Sequence, residues 1–368
     1  MPRKHKQVVV FKTAAGFGDR LRALTQCIGY CVKYDAELCV DWDDDLVWNI
    51  PFEDIFDLKG IKLVKKHVVL YRMKCGAKVN PPCWTIKDLM TPVWIRPDIF
   101  DKKYMGILEE PKIKRMSGDI LITNGVGVFL FIEDIILRHL HLKQSVCDEI
   151  IPYLEKLNPE HIVVHLRGTD KASSKDYDTM KRQFGEYTKD TTDVACIMTD
   201  SKELADDWMS EFPKSVLYRP ESSAFKIPKL FGDDGKPRGS HLLFPHELKQ
   251  YGITKRMIAI ETIIDFMATS FALSSMGRKE SLFYDTARMM GFSKSNQIFM
   301  NGWKPFWVPP ALPVNPICNP NEWVPSGGKN SSPSVPTASP TSQHQHPQDA
   351  QCGPPKEQQE QHPECPAP

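Results

Sequence analysis

Apolar residues recur along the chain in two alternating rhythms. Short runs rich in β-branched residues predict strands at residues 7–11 (QVVVF), 36–42 (AELCVDW), 118–122, 162–166 (IVVHL), 194–198 and 215–218. Between them, apolar positions at helical spacing predict helices over 21–34, 129–142, 145–157, 177–189, 202–212, 246–267 and 279–291. In the first of these Leu21, Leu24, Ile28, Cys31 and Val32 set the spacing; in the fifth Leu204, Trp208 and Phe212 share a face, with Ser201 placed to cap it. Further short strands are expected at 66–71, 269–273 and 297–300. Strands and helices alternating in this way imply an α/β fold on mostly parallel sheets. Residues 43–118 carry a weaker pattern, broken by prolines and by Trp48, Trp84 and Trp94. Residues 220–245 form a long Gly-, Pro- and charge-rich connection, a kind of loop that tends to carry function or to move.

Composition narrows the class. The chain has 368 residues, 47 Lys plus Arg against 46 Asp plus Glu, so no net field favours nucleic acid or an anionic membrane. The length suggests two domains, each large enough to bury its own core. The basic start MPRKHK leads into only a short apolar run, less than the roughly 7–15 residues of a signal-peptide core. No stretch reaches the ~18 apolar residues of a membrane span. A cytoplasmic location is therefore expected. The ten cysteines include no CxxC pair, which argues for reduced thiols and against structural zinc; Cys27 and Cys31, four apart on a helix, are expected to pack. From about residue 325 the chain turns to Pro, Gln and Ser with almost nothing to bury, and is expected to be disordered. Its His344, His346 and His362 are solvated on this reading, weak metal binding being the alternative.

The candidate chemistry lies where strands end. The run HIVVHLRGTDK places Arg167 and Lys171 just past a strand's carboxyl end, which is where open α/β sheets hold their ligands. A guanidinium fork suits a phosphate, and an ammonium adds a mobile charge; the alternative is a loop that happens to be charged. The turn Gly16-Phe17-Gly18-Asp19-Arg20 follows a strand and opens a helix, so its amides can approach an anion. It partly fits a dinucleotide fingerprint, with Asp41 about 20 residues further on, but Leu21 stands in place of the third glycine; the alternative is a tight turn with Asp19 and Arg20 paired in solvent. Asp200 and Ser201 end another strand and suit a ribose or base edge, or simply cap a helix. Ser274, Ser275 and Arg278, read as strand into helix, suit a diphosphate, or again cap a helix.

Taken together, GFGDRLRAL at 16–24 with VDW at 40–42, HLRGTDK at 165–171, MTDS at 198–201 and SSMGR at 274–278 resemble the inverting fucosyltransferase superfamily, with its α1,6-, α1,2- and protein O-fucosyl branches. The likeness is strongest to the rhizobial nodulation α1,6-fucosyltransferases and spans most of residues 7–300. It implies two Rossmann-like domains facing across a cleft, the GT-B arrangement. Residues 1–157 would form the acceptor side, 158–310 would bind the nucleotide sugar, and 311–368 would form the tail. It also implies transfer of fucose from GDP-fucose, or another sugar from its nucleotide, to a glycan or glycoprotein hydroxyl with inversion, needing neither metal nor further cofactor. By the same resemblance Arg167 holds the β-phosphate and His165 lies near the nucleoside. Asp200 or Ser201 faces guanine or ribose, and Ser274, Ser275 and Arg278 line the diphosphate.

Two departures matter. Many α1,6 enzymes carry a second arginine where this chain has Gly168, and the acid expected past the motif's lysine is Lys175. The catalytic base is therefore not carried over. Asp19 is the first choice, because the glycine turn should face the acceptor; Asp170 and Asp176 are rivals. Two other readings compete. One is an NAD(P)-dependent oxidoreductase built on Gly16, Gly18 and Asp41. The other is a nucleotide- or glycan-binding module without activity.

Overall fold

In the first half of the chain, strands and helices alternate as β1 (Val8–Lys12), α1 (Phe17–Tyr34), β2 (Glu37–Asp41), α2 (Phe52–Ile55), β3 (Phe56–Leu58), α3 (Lys66–Lys74), β4 (Val79–Asn80), α4 (Ile86–Met90), β5 (Ile120–Thr123), β6 (Leu140–Leu142) and α5 (Gln144–Leu154). The second half continues with β7 (His161–Leu166), α6 (Ser174–Tyr187), β8 (Val194–Thr199), α7 (Lys202–Glu211) and β9 (Val216–Leu217). After these come β10 (Leu230–Phe231), β11 (Pro237–Arg238), α8 (Pro245–Lys249), α9 (Lys255–Phe271), β12 (Ser274–Gly277), α10 (Leu282–Phe292) and α11 (Ser295–Phe299). This computed structural model describes residues 6–13, 16–42, 48–92, 115–123, 138–168, 174–189, 194–228, 230–231, 237–239, 242–278, 281–292 and 295–305.

Each half builds its own four-stranded sheet. The first has order β2-β1-β5-β4 and the second β12-β7-β8-β9, every neighbouring pair being parallel. A parallel strand buried on both faces is apolar along most of its length, as Val8–Phe11 of β1 are. Val9 and Phe11 face one core, Val8 and Val10 the other. Likewise Val163 of β7 joins the larger core while Ile162, Val164 and Leu166 face α6 and α7. Each such side chain contributes about 1.5–3 kcal/mol when fully buried. The larger core takes residues from both halves, and α10 packs against α1 as well as α9. Contacts gather Met1–Ser326 into one compact unit. Among the described residues no helix is long and apolar enough to cross a membrane.

Several expected elements are corrected. Residues 66–71 form helix α3, not a strand. The place beside β2 is already taken, because Leu38 N donates to Lys62 O and Val64 N to Leu38 O, so the next residues wind up and bury only Val69. The helix expected over 246–267 is two, parted at Gly252, whose φ of +67° suits glycine. The second of them runs on to Phe271, into the strand expected at 269–273, and strand β12 is the SSMG segment itself. Thr269 Oγ1 bonds back to Asp265 O and Phe271 is buried, so the helical face continues into 269–271. Residues 295–299 are helical, where a strand was expected at 297–300. The helix expected over 129–142 ends in strand β6, paired antiparallel with β3, and its residues 129–137 lie outside the described residues. The tail at 311–368, and the expectation of disorder from about residue 325, also fall outside the described residues. Cys27, Cys31 and Cys196 are buried free thiols in the larger core, and burial pushes Cys31 and Cys196 up to about 12.

Candidate functional site

Register brings three strand tips together. His165 on β7 lies opposite Gly277 of β12 on one side and Met198 of β8 on the other, and Leu166 lies opposite Thr199. The chain leaving β7 as Arg167 and Gly168 therefore emerges between Arg278 and the Thr199-Asp200-Ser201 turn. Gly168 N donates to Asp200 Oδ1 at 2.7 Å. A Cβ on residue 168 would stand 2.2 Å from Ser201 Cβ. Close packing of the two tips thus explains glycine there: a second arginine has no room.

Asp200 is therefore spoken for in part by the loop, and Ser201 caps α7 by accepting from Leu204 N. Arg278 follows β12 directly, its Nε 3.1 Å from Asp176 Oδ2 in the first turn of α6. Arg278 and Asp176 are each about a third exposed (30% and 39%), so an incoming anion can reach the pair. Ser274 and Ser275 do not reach the tip, since the expected strand-to-helix turn is a strand. They pair with Ile162 and Val163 at its far end, and Tyr284 Oη donates to Ser275 O. Asp170 and Lys171 lie outside the described residues.

His165 packs against the first turn of α10, which the sequence did not single out. Its ring stacks on Phe283 at 5.1 Å and lies 6.4 Å from Tyr284. A Cβ at Gly277 would strike the Tyr284 ring at 2.6 Å, so glycine admits this aromatic wall. The residues SLFYD, aromatic at the start of a helix just past an arginine, were the available signal. His165 Nδ1 is buried with no hydrogen-bond partner among the described residues. Desolvation holds this imidazole below its ordinary value, against the pull of Asp265 and Asp200. Such a group takes up a proton less readily folded than unfolded. Its neutral state costs nothing above the unfolded pKa of about 6.5, and stability is lost as pH falls from there toward the folded value. His165→Phe keeps the stack and removes that titration. Urea midpoints should therefore fall less between pH 7 and pH 5 in the variant than in the natural chain. Equal losses would contradict the assignment.

On the other side, the glycine turn is shorter than expected. Gly16 is the N-cap and α1 starts at Phe17, with Arg20 N donating to Gly16 O. The turn's amides and the carboxylate of Asp19 occupy the positive end of α1. Gly18 abuts α10, where a Cβ would lie 2.6 Å from Leu282 O and from Phe283 Cα. The first turn of α1 thus touches the helix that follows Arg278. Arg20 does not stand in solvent: it is fully buried, with its guanidinium 5.2 Å over Trp42. Asp41 is buried at the tip of β2, where it accepts from Lys12 Nζ and Lys66 Nζ, each at 2.9 Å. That carboxylate is not presented to a ribose.

The structure therefore brings His165, Arg167, Asp200 and Arg278 to neighbouring tips, with Gly18 and Asp19 reached through α10. Among the described residues no group of three or more His, Cys, Asp or Glu could hold a metal.

No known protein family's sequence profile matches the chain. No curated protein matches it either. Solved structures do. The fucosyltransferase NodZ from Bradyrhizobium superposes with a TM-score of 0.50 at 15% identity, over 77% of this chain and 92% of that one. The NodZ alpha-1,6-fucosyltransferase soaked with GDP-fucose gives the same values: 0.50, 15%, 77% and 92%. POFUT1 in complex with GDP aligns with a TM-score of 0.40 at 12% identity, over 82% of this chain and 97% of that one. At 15% identity the likeness to NodZ is one of fold.

Proposed function

We propose that this chain is a glycosyltransferase that moves fucose from GDP-fucose to a glycan hydroxyl with inversion. Residues 1–157 form the acceptor lobe and 158–310 the donor lobe of a GT-B arrangement. One observation carries the reading: Arg167 and Arg278 leave adjacent parallel strands at their carboxyl ends, with Asp200 on the next tip. Two arginines leaving neighbouring strand tips suit the two phosphates of a nucleoside diphosphate. The NodZ structure soaked with GDP-fucose shares the fold and supports this choice of donor.

A carboxylate takes the acceptor hydroxyl proton as that oxygen attacks the anomeric carbon. The bond from that carbon to the β-phosphate oxygen breaks, its electrons leave with GDP, and the centre inverts. Arg167 and Arg278 neutralise the charge gathering on the diphosphate. His165, held neutral against Phe283, borders the nucleoside. Lys171, following Arg167 in sequence, adds a further charge. Asp200 and Ser201 flank the base or ribose through the β8–α7 turn. Asp19 is the proposed base, since it stands on the acceptor-side helix; Asp170 and Asp176 are the rivals. Asp176 holds Arg278 in place of a phosphate until one arrives. The scheme uses no metal.

The oxidoreductase reading loses its acid, because Asp41 is buried between two lysines. A binding module without turnover stays in contention, and turnover decides it. Incubation with GDP-fucose and a panel of glycan oligosaccharides should release GDP and yield a fucosylated product, while UDP-sugars give none. GDP binding with neither product nor donor hydrolysis would favour the binding module.

A further inference from the structure

Arg22 is one turn beyond Asp19 on α1, three residues on and so on a neighbouring face of the helix. Its side chain is nearly buried and leaves α1 for α10. Nε donates to Thr286 Oγ1 at 2.6 Å, and Nη2 to Asp285 Oδ2 at 2.5 Å and Met289 S at 3.5 Å. A guanidinium reaches both partners with one rigid planar fork, which a compact ammonium on a flexible stem does not reproduce. One turn away, Gly18 presses on the backbone of Leu282 and Phe283 with no room for a Cβ. An aromatic path repeats the connection: Phe17 of α1 meets Phe266 edge-on at 4.9 Å, Phe266 meets Phe283 at 5.3 Å, and Phe283 stacks on His165. Backward from α10, Ser281 N donates to Arg278 O, so the arginine at the tip is tied to the helix that Arg22 grips.

We infer that Arg22 is a positioning residue: it fixes α1 against α10 and so sets the spacing of Asp19, on the acceptor side, from Arg278 and His165, on the donor side. It touches no substrate in this role. What it positions rests on the functional reading above; that it couples the two helices does not. A small error in such spacing is costly, because displacement of a reacting group by about 1 Å lowers rates about a hundredfold.

The experiment compares the natural chain with Arg22→Met, Arg22→Lys, Thr286→Val and Thr286→Ser. Readouts are GDP affinity by calorimetry, kcat with GDP-fucose per folded molecule, and hydrogen exchange across residues 17–22 and 282–289. Arg22→Met and Thr286→Val should lower kcat about tenfold or more with GDP affinity within about twofold. Their exchange should quicken in both segments together. Arg22→Lys should fall with them, and Thr286→Ser, which keeps the hydroxyl, should behave as the natural chain. If Arg22→Met does not fold, Thr286→Val carries the same comparison. Unchanged kcat in folded variants, or exchange that quickens in one segment alone, would overturn the inference. Should the natural chain neither bind GDP nor turn over GDP-fucose, the functional reading fails. The coupling is then judged on exchange alone, quickening in both segments supporting it and unchanged exchange overturning it.

Discussion

Replacing Arg167 by alanine is expected to slow sugar transfer by about two to three orders of magnitude, the effect of removing one preorganised charge from a developing anion. The residue follows an inner strand of the second sheet, between the tips that lead to Arg278 and Asp200. It is half-buried at that lip, so the loss of rate should exceed any loss of thermal stability. Arg167→Lys should recover only part of the rate, since a point charge does not reproduce a planar fork on two oxygens. The measurement is kcat at saturating GDP-fucose, with the unfolding midpoint as control. A loss of rate matched by a loss of folded protein would mean that Arg167 is structural.

The second large effect is on stability. Asp41→Ala is expected to cost about 3–5 kcal/mol, because it takes the carboxylate away from the wholly buried ammonium of Lys12. Lys66 bonds the other oxygen from the first turn of α3, so the same change loosens that helix from β2. The double variant Lys12→Met/Asp41→Leu should regain most of the loss, since an apolar pair of similar size needs no counter-charge. Denaturant titration of the three proteins tests this. A single variant as stable as the natural chain would show the pair to be solvated.

The sequence made the strand tips legible but not their depth. An apolar strand ending in Arg167 is a local pattern, and β7 is where the periodicity put it. The alternation of strand and helix gave the parallel sheets for the same reason. SSMGR was misplaced because Ala268 to Leu273 suits either helix or strand. Packing of Phe271 and the back bond from Thr269 decided for helix, moving the strand on by five residues. That shift takes Ser274 and Ser275 away from the tip and leaves Arg278 there. Asp41 looked like a ribose acceptor by spacing alone, since its lysine partners come from residues 29 and 25 positions away. Arg22 and Phe283 were invisible for a similar reason. The partners of Arg22 lie in the other half of the chain, and Phe283 meets His165 from a distant element of its own half, so only tertiary packing brings them together.

The central claim is that the arginines just past β7 and β12 hold a nucleoside diphosphate. Calorimetric titration of the full chain with GDP, UDP and NADH tests it most directly, repeated on the double variant Arg167→Ala/Arg278→Ala. The account predicts saturable one-to-one binding of GDP, weaker heat with UDP and none with NADH. It also predicts GDP affinity lower by about a hundredfold or more in the double variant, given charge-assisted bonds worth about 1.5–3 kcal/mol each. Binding of NADH without GDP, or a double variant that holds GDP as tightly as the natural chain, would contradict it.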